Sequence, residues 1–102
     1  MKNLVILVAL FVTFPVMAQE RSGQALFDHR CGLCHRGSGP GVFMLERRLG
    51  EAQSIIEERD NLTEAYINLV ARNGIGSMPR FSRGEITDAE LKRITAYLLE
   101  KD

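Results

Sequence analysis

Apolar residues run almost without interruption from Leu4 to Phe14, and after that they return only in spaced sets. Behind Ser22, a suitable N-cap, Gly23, Leu26 and Phe27 recur at i, i+3 and i+4, the repeat of one helix face running towards Cys31. Leu62, Ala65, Tyr66, Leu69 and Val70 repeat in the same way and predict a helix over about 63–72, stopped at Asn73-Gly74. Thr87 and Glu90 form a capping box. Beyond it Leu91, Ile94, Thr95 and Leu98 trace one face of a last helix, with Tyr97 beside it.

No stretch alternates with period two, so the pattern predicts an all-α fold of three main helices joined by long irregular connections. Gly37 to Gly41, read GSGPG, predicts a loop packed closely against something. Positions 45–61 are rich in charge, with Leu45, Leu49, Ile55 and Ile56 irregularly spaced; a short helix flanked by loops is the reading there. Connections this long around a small helical core usually wrap a ligand or serve a function.

The continuous run at the start follows a single Lys2 and is followed by Pro15 and by the small residues Val16 and Ala18, the pattern of a secretory signal peptide cut after Ala18. The chain then divides into a signal peptide, 1–18, and one domain, 19–102. The run is shorter than the roughly 20 apolar residues that span a bilayer, so no stable membrane insertion is expected after cleavage. An exported, periplasmic domain is the expectation.

The 102 residues carry 13 basic and 13 acidic side chains, which gives no electrostatic case for nucleic acid as a partner. Removing residues 1–18 takes only Lys2 from the charges and leaves 84 residues with 12 basic against 13 acidic. A domain that small often needs a disulfide, a metal or a cofactor to complete its core, and no Trp is present to anchor one.

Suspicion therefore falls on Cys31-Gly32-Leu33-Cys34-His35. Two thiols three residues apart can reach both vinyl groups of a haem, while the next residue turns its imidazole to the iron from the same side. Three other readings compete. A structural disulfide between Cys31 and Cys34 would close a small strained ring with little entropic benefit. A thioredoxin-like redox pair would need a βαβ context that this sequence lacks. A zinc site using Cys31, Cys34, His35 and His29 would crowd adjacent ligands around a tetrahedral ion and has no second ligand pair downstream.

Opposite His35, Met44 and Met78 are the thioethers left after cleavage. Met78 lies in Gly74-Ile75-Gly76-Ser77-Met78-Pro79, where glycines let the backbone approach a flat ligand and Pro79 stiffens the loop. It is the better second axial ligand. Met44, beside Val42, Phe43 and Leu45, reads as a flexible core filler, and His29 as a surface residue.

With Gly23 and Phe27 in a first helix, the CGLCH site, Pro40 after it, GSMP, and a last helix with Leu91, Ala96, Tyr97 and Leu98, the chain resembles the class I c-type cytochromes over nearly its whole mature length. The resemblance implies a cytochrome c fold wrapped around one covalently bound haem c, with the first and last helices packed crosswise, Gly23 against the last helix and Phe27 near Leu91 and Tyr97. It also implies that the Pro40 carbonyl accepts a hydrogen bond from His35 and orients it. The run TEAYINLVARNGIGSMPRF resembles the small cytochrome subunits of flavocytochromes such as p-cresol methylhydroxylase, although the charged segment from Glu46 to Asp60 is longer than that subgroup leads one to expect.

That resemblance implies an electron carrier, without catalytic residues of its own. Its donor would be a flavin-dependent dehydrogenase or oxidase, and its acceptor a downstream cytochrome or terminal oxidase of the respiratory chain. The competing class is a haem enzyme or ligand sensor with a labile Met78. Arg36, Arg47, Arg48, Arg72, Arg80 and Arg83 against the acids from Glu51 to Glu64 fit either a basic docking face or an ordinary solvated surface with one or two arginines on haem carboxylates.

Overall fold

A computed structural model describes residues 8–15 and 20–100. Five α-helices follow in order: α1 Gly23–Arg30, α2 Gly32–His35, α3 Pro40–Leu49, α4 Glu64–Asn73 and α5 Asp88–Glu100. Two single 3₁₀ turns, Glu51–Gln53 and Ile56–Glu58, lie between α3 and α4. No β-strand occurs among the described residues; Ile75 and Met78 form an isolated bridge.

Ser22 and Thr87 make the helix starts that the pattern indicates, and Thr63, expected as the first helical residue, is the cap instead. The Ser22 hydroxyl accepts from the Ala25 amide at 3.2 Å and Thr63 caps α4 through the Tyr66 amide at 3.1 Å. Thr87 caps α5 by accepting from the Glu90 amide at 3.1 Å. Gly74, at φ 71°, ends α4 in the left-handed region that glycine enters without steric cost.

One helix was not legible. The GSGPG stretch is a loop only as far as Gly39; Pro40 is the first residue of α3, where its fixed φ suits a helix start and its missing N–H would have had no partner. The charged stretch that follows is the remainder of α3 and the two 3₁₀ turns.

Helix α1 crosses α5, and the crossing organises the core. A Cβ on Gly23 would press into the Arg93 carbonyl and stand 2.9 Å from the Tyr97 Cβ, so the backbones approach as only glycine permits. Phe27 is fully buried beside Tyr97, ring centroids 5.6 Å apart, within a cluster of Leu26, Ile67, Ala71, Ile86, Leu91, Ile94 and Leu98. The inward face of α5 is the predicted Leu91, Ile94, Thr95 and Leu98. That of α4 is turned from the prediction: Ile67 and Ala71 enter the core, whereas Ala65, Tyr66 and Leu69 are exposed.

Residues 8–15 have no regular structure and leave Leu10, Phe11 and Phe14 more than 80% exposed, so this apolar run packs against nothing in the domain. The cleavage point after Ala18 lies outside the described residues. No helix among the described residues is long and apolar enough to cross a membrane.

Candidate functional site

Beside the α1–α5 crossing lies an apolar cavity that is partly open to solvent. The end of α1 and the short α2 bring Cys31 and His35 to its wall, and the loop after α4 brings Met78. Almost all the rest of the wall is hydrocarbon, from Leu45 of α3, Ile56 and Leu62 of the following loops, Ile67 and Val70 of α4, and Leu91, Ile94 and Leu98 of α5.

Close contacts of the backbone hold these parts. Cys34 and His35 donate their amides to the Cys31 carbonyl at 3.2 and 3.0 Å. A Cβ on Gly41 would stand 2.6 Å from the Cys34 carbonyl and 3.0 Å from the His35 ring, so the start of α3 lies directly on the His35 turn. Ile75 and Met78 exchange backbone hydrogen bonds at 2.9 and 3.2 Å across Gly76, which has φ 57°. A Cβ on Gly74 would stand 2.6 Å from the Met78 carbonyl, so the loop doubles back tightly on the end of α4.

Burial pushes the Cys31 thiol up to about 11, with Cys34 adding to the rise and Arg30 opposing it. It is therefore a thiol at neutral pH. Cys31 and Cys34 are both free, so the disulfide reading finds no bond here. No group of three or more His, Cys, Asp or Glu side chains among the described residues is placed to hold a metal ion, so the zinc reading finds no support in this geometry. Burial also lowers the pKa of His35 and keeps its imidazole neutral.

The sequence-derived residues are partly brought together. Cys31, His35 and Met78 share the cavity wall; Cys34 is half-buried one turn along α2 and does not line it, and Pro40 is exposed outside it. The implied hydrogen bond from His35 to the Pro40 carbonyl is not made. His35 Nδ1 is buried without a partner, and Pro40, as the first residue of α3, turns its carbonyl along the helix axis. Met44 is a second correction: it is 44% exposed on α3 and fills no core. His29 is exposed, as expected.

A third correction concerns the arginines. Arg72 is not part of a free basic face: it donates to the Phe81 and Ile86 carbonyls at 3.2 and 2.8 Å and pairs with Asp88 at 2.9 Å, stapling the loop that follows Met78 to α4. Arg36 is likewise engaged, donating to both oxygens of Glu57 at 3.0 and 2.7 Å and pairing with Asp28 at 2.7 Å. Its guanidinium lies over the Phe27 ring, and Tyr97 donates its hydroxyl to the same Glu57. Partial desolvation works to raise the Glu57 carboxyl, but the Arg36 and Tyr97 hydrogen bonds outweigh it and hold the group below the usual carboxylate range.

Sequence reasoning missed Arg59 and Tyr66 on the cavity wall and the Glu57 junction. The one usable signal for Arg59 was its position three residues after Ile56, the spacing of one face of a 3₁₀ turn. Together the parts suit a flat, apolar, thiol-reactive group: a hydrocarbon slot, two thiols spaced for it, a neutral imidazole with an unpartnered nitrogen, and a thioether on the same wall. A haem fits that donor set.

Comparison with known proteins points the same way. The family described as "Cytochrome C oxidase, cbb3-type, subunit III" matches residues 18–98. The cytochrome c subunit of 4-cresol dehydrogenase (hydroxylating) from Pseudomonas putida is 34% identical over 84 residues; the match covers 79% of this chain and 61% of that subunit's length. Cytochrome c6 of Cyanidioschyzon merolae is 34% identical over 102 residues, covering 97% of this chain and 93% of its own. A crystal structure of p-cresol methylhydroxylase superposes with a TM-score of 0.56 at 34% identity, covering 76% of this chain and 90% of that one.

Proposed function

The chain belongs to the cytochrome c family, a family of haem c electron carriers, and from that premise we propose that it is an exported carrier working through one covalently bound haem. The observation that carries the proposal is the shared wall: His35 and Met78, the two candidate axial ligands, line one apolar cavity together with the attachment residue Cys31.

In this reading Cys31 and Cys34 hold the haem through thioether bonds, and His35 and Met78 ligate its iron. Bound there, the haem supplies a one-electron Fe(III)/Fe(II) couple. The chain's own residues do the rest. Gly41 keeps α3 against the His35 turn and so limits its movement. Gly74 and Gly76 hold the Met78 loop closed on α4, and Arg72 fastens the loop's far side. Leu45, Ile56 and Leu62 exclude water. With His35 and Met78 both holding the iron, no site would be left for a substrate, and a thioether ligand in an apolar wall would favour the less charged ferrous state.

Export supports the same reading. The described part of the apolar run, residues 8–14, is exposed, as would suit a signal peptide removed after Ala18 from a protein whose haem would be attached in the periplasm. The likeness to a 4-cresol dehydrogenase subunit supports a flavin-dependent dehydrogenase or oxidase as donor, with a downstream cytochrome or terminal oxidase as acceptor. Intact mass measurement of the exported protein tests the attachment: chain 19–102 plus one haem is expected, and a chain of unmodified thiols would refute it.

A further inference from the structure

Among the described residues, Arg59 is the one permanently charged side chain on the cavity wall. Arg59 is half-buried at the mouth of an otherwise apolar site, where an anion entering the cavity would find it the one cation at hand. Its Nε donates to the Asn61 side chain at 3.0 Å, and it takes part in none of the ion pairs of the described residues, which leaves its two terminal nitrogens with donors to give.

The segment that carries it is held from the other side. Ile56 and Arg59, three residues apart across a 3₁₀ turn, reach the cavity, while Glu57 between them reaches away to Arg36 of the attachment turn and Tyr97 of α5.

We propose that Arg59 receives a carboxylate of the haem, and that Glu57, tied to Arg36 and Tyr97, positions it. The inference rests on the haem reading above. Haem carries two carboxylates on one edge of an otherwise apolar ring, and a planar guanidinium with free terminal donors is suited to take one of them bidentately.

The test uses the haem-loaded protein. Proton NMR of the ferrous form is expected to show Arg59 side-chain protons close to a haem propionate methylene. Arg59→Gln should lower the midpoint potential at neutral pH, because an uncompensated carboxylate favours ferric iron, and the shift should persist in high salt; Arg59→Lys should recover most of it. Arg47→Gln, an exposed control, should leave the potential alone. Glu57→Ala should abolish the Arg59–propionate proximity in the NMR spectrum with haem still attached.

An unchanged potential in Arg59→Gln overturns the inference, as does the lack of any Arg59–propionate proximity in the wild type, which decides the matter even if the variant does not fold. An undisturbed Arg59–propionate proximity in Glu57→Ala overturns the positioning role alone. A wild-type protein without attached haem refutes the carrier reading itself, and this inference with it.

Discussion

Gly74 lies so close beneath Met78 that a Cβ at position 74 would stand 2.6 Å from the Met78 carbonyl. The thioether's place on the cavity wall is therefore set by a residue four positions earlier, through backbone contact and a positive φ. Gly74→Ala should displace the loop without touching the sulfur. The haem-loaded variant is expected to show the loss of thioether ligation that Met78→Ala shows, a lowered potential in both, with covalent haem retained. A Gly74→Ala protein with wild-type potential would separate the loop's closure from Met78 ligation.

The crossing of α1 and α5 gives a paired prediction. Gly23→Ala drives a methyl into the Arg93 carbonyl and should destabilise the protein by about 1–3 kcal/mol through overpacking. Gly32→Ala is its control, because a Cβ there meets only Arg36 Cδ at 3.6 Å and the Phe27 carbonyl at 3.7 Å. Denaturant unfolding of both variants should separate them clearly.

Phe27 is fully buried against Tyr97 and beneath the Arg36 guanidinium. Phe27→Ala should cost about 3–5 kcal/mol, from lost burial and the cavity left behind. Phe27→Leu should cost less, with haem attachment intact. Equal unfolding midpoints for wild type and Phe27→Ala would contradict the assignment of the core.

Acid stability follows from Glu57. Hydrogen bonds from Arg36 and Tyr97 depress its folded pKa, so the unfolded chain binds the proton more readily. The resulting stabilisation is complete above the ordinary Glu value of about 4.3 and is lost as the pH falls through and below it. Asp88, held down by Arg83 and Arg72, acts in the same direction. Unfolding midpoints should fall between about pH 5 and pH 3, and Glu57→Gln should flatten part of that fall. A steeper fall in Glu57→Gln would reverse the sign.

What was legible in the sequence is what local periodicity and covalent spacing determine. The caps Ser22 and Thr87 and the inward face of α5 follow from near neighbours in the chain, whereas the close approach of Gly23 to the distant Arg93 was reached only through the family resemblance. Helix α3 was hidden because its first residues, Pro40 and Gly41, read as turn formers although Pro suits a first helical position. The face of α4 was misread because Ile67 and Ala71 serve both core and cavity while Tyr66 and Val70 line the cavity outside the core, two environments that one apolar stripe cannot distinguish. Glu57 and Arg59 were lost in a charged run: Arg36 lies 21 residues from Glu57 and Tyr97 lies 40, and separations that long leave no local pattern.

The central claim is a closed site in which His35 and Met78 both hold iron, and carbon monoxide titration of the ferrous protein at neutral pH tests it most directly. An unchanged visible spectrum is the predicted result, since no axial position is open. Ready formation of a carbonyl complex would contradict the carrier account and favour a haem enzyme or ligand sensor with a labile Met78.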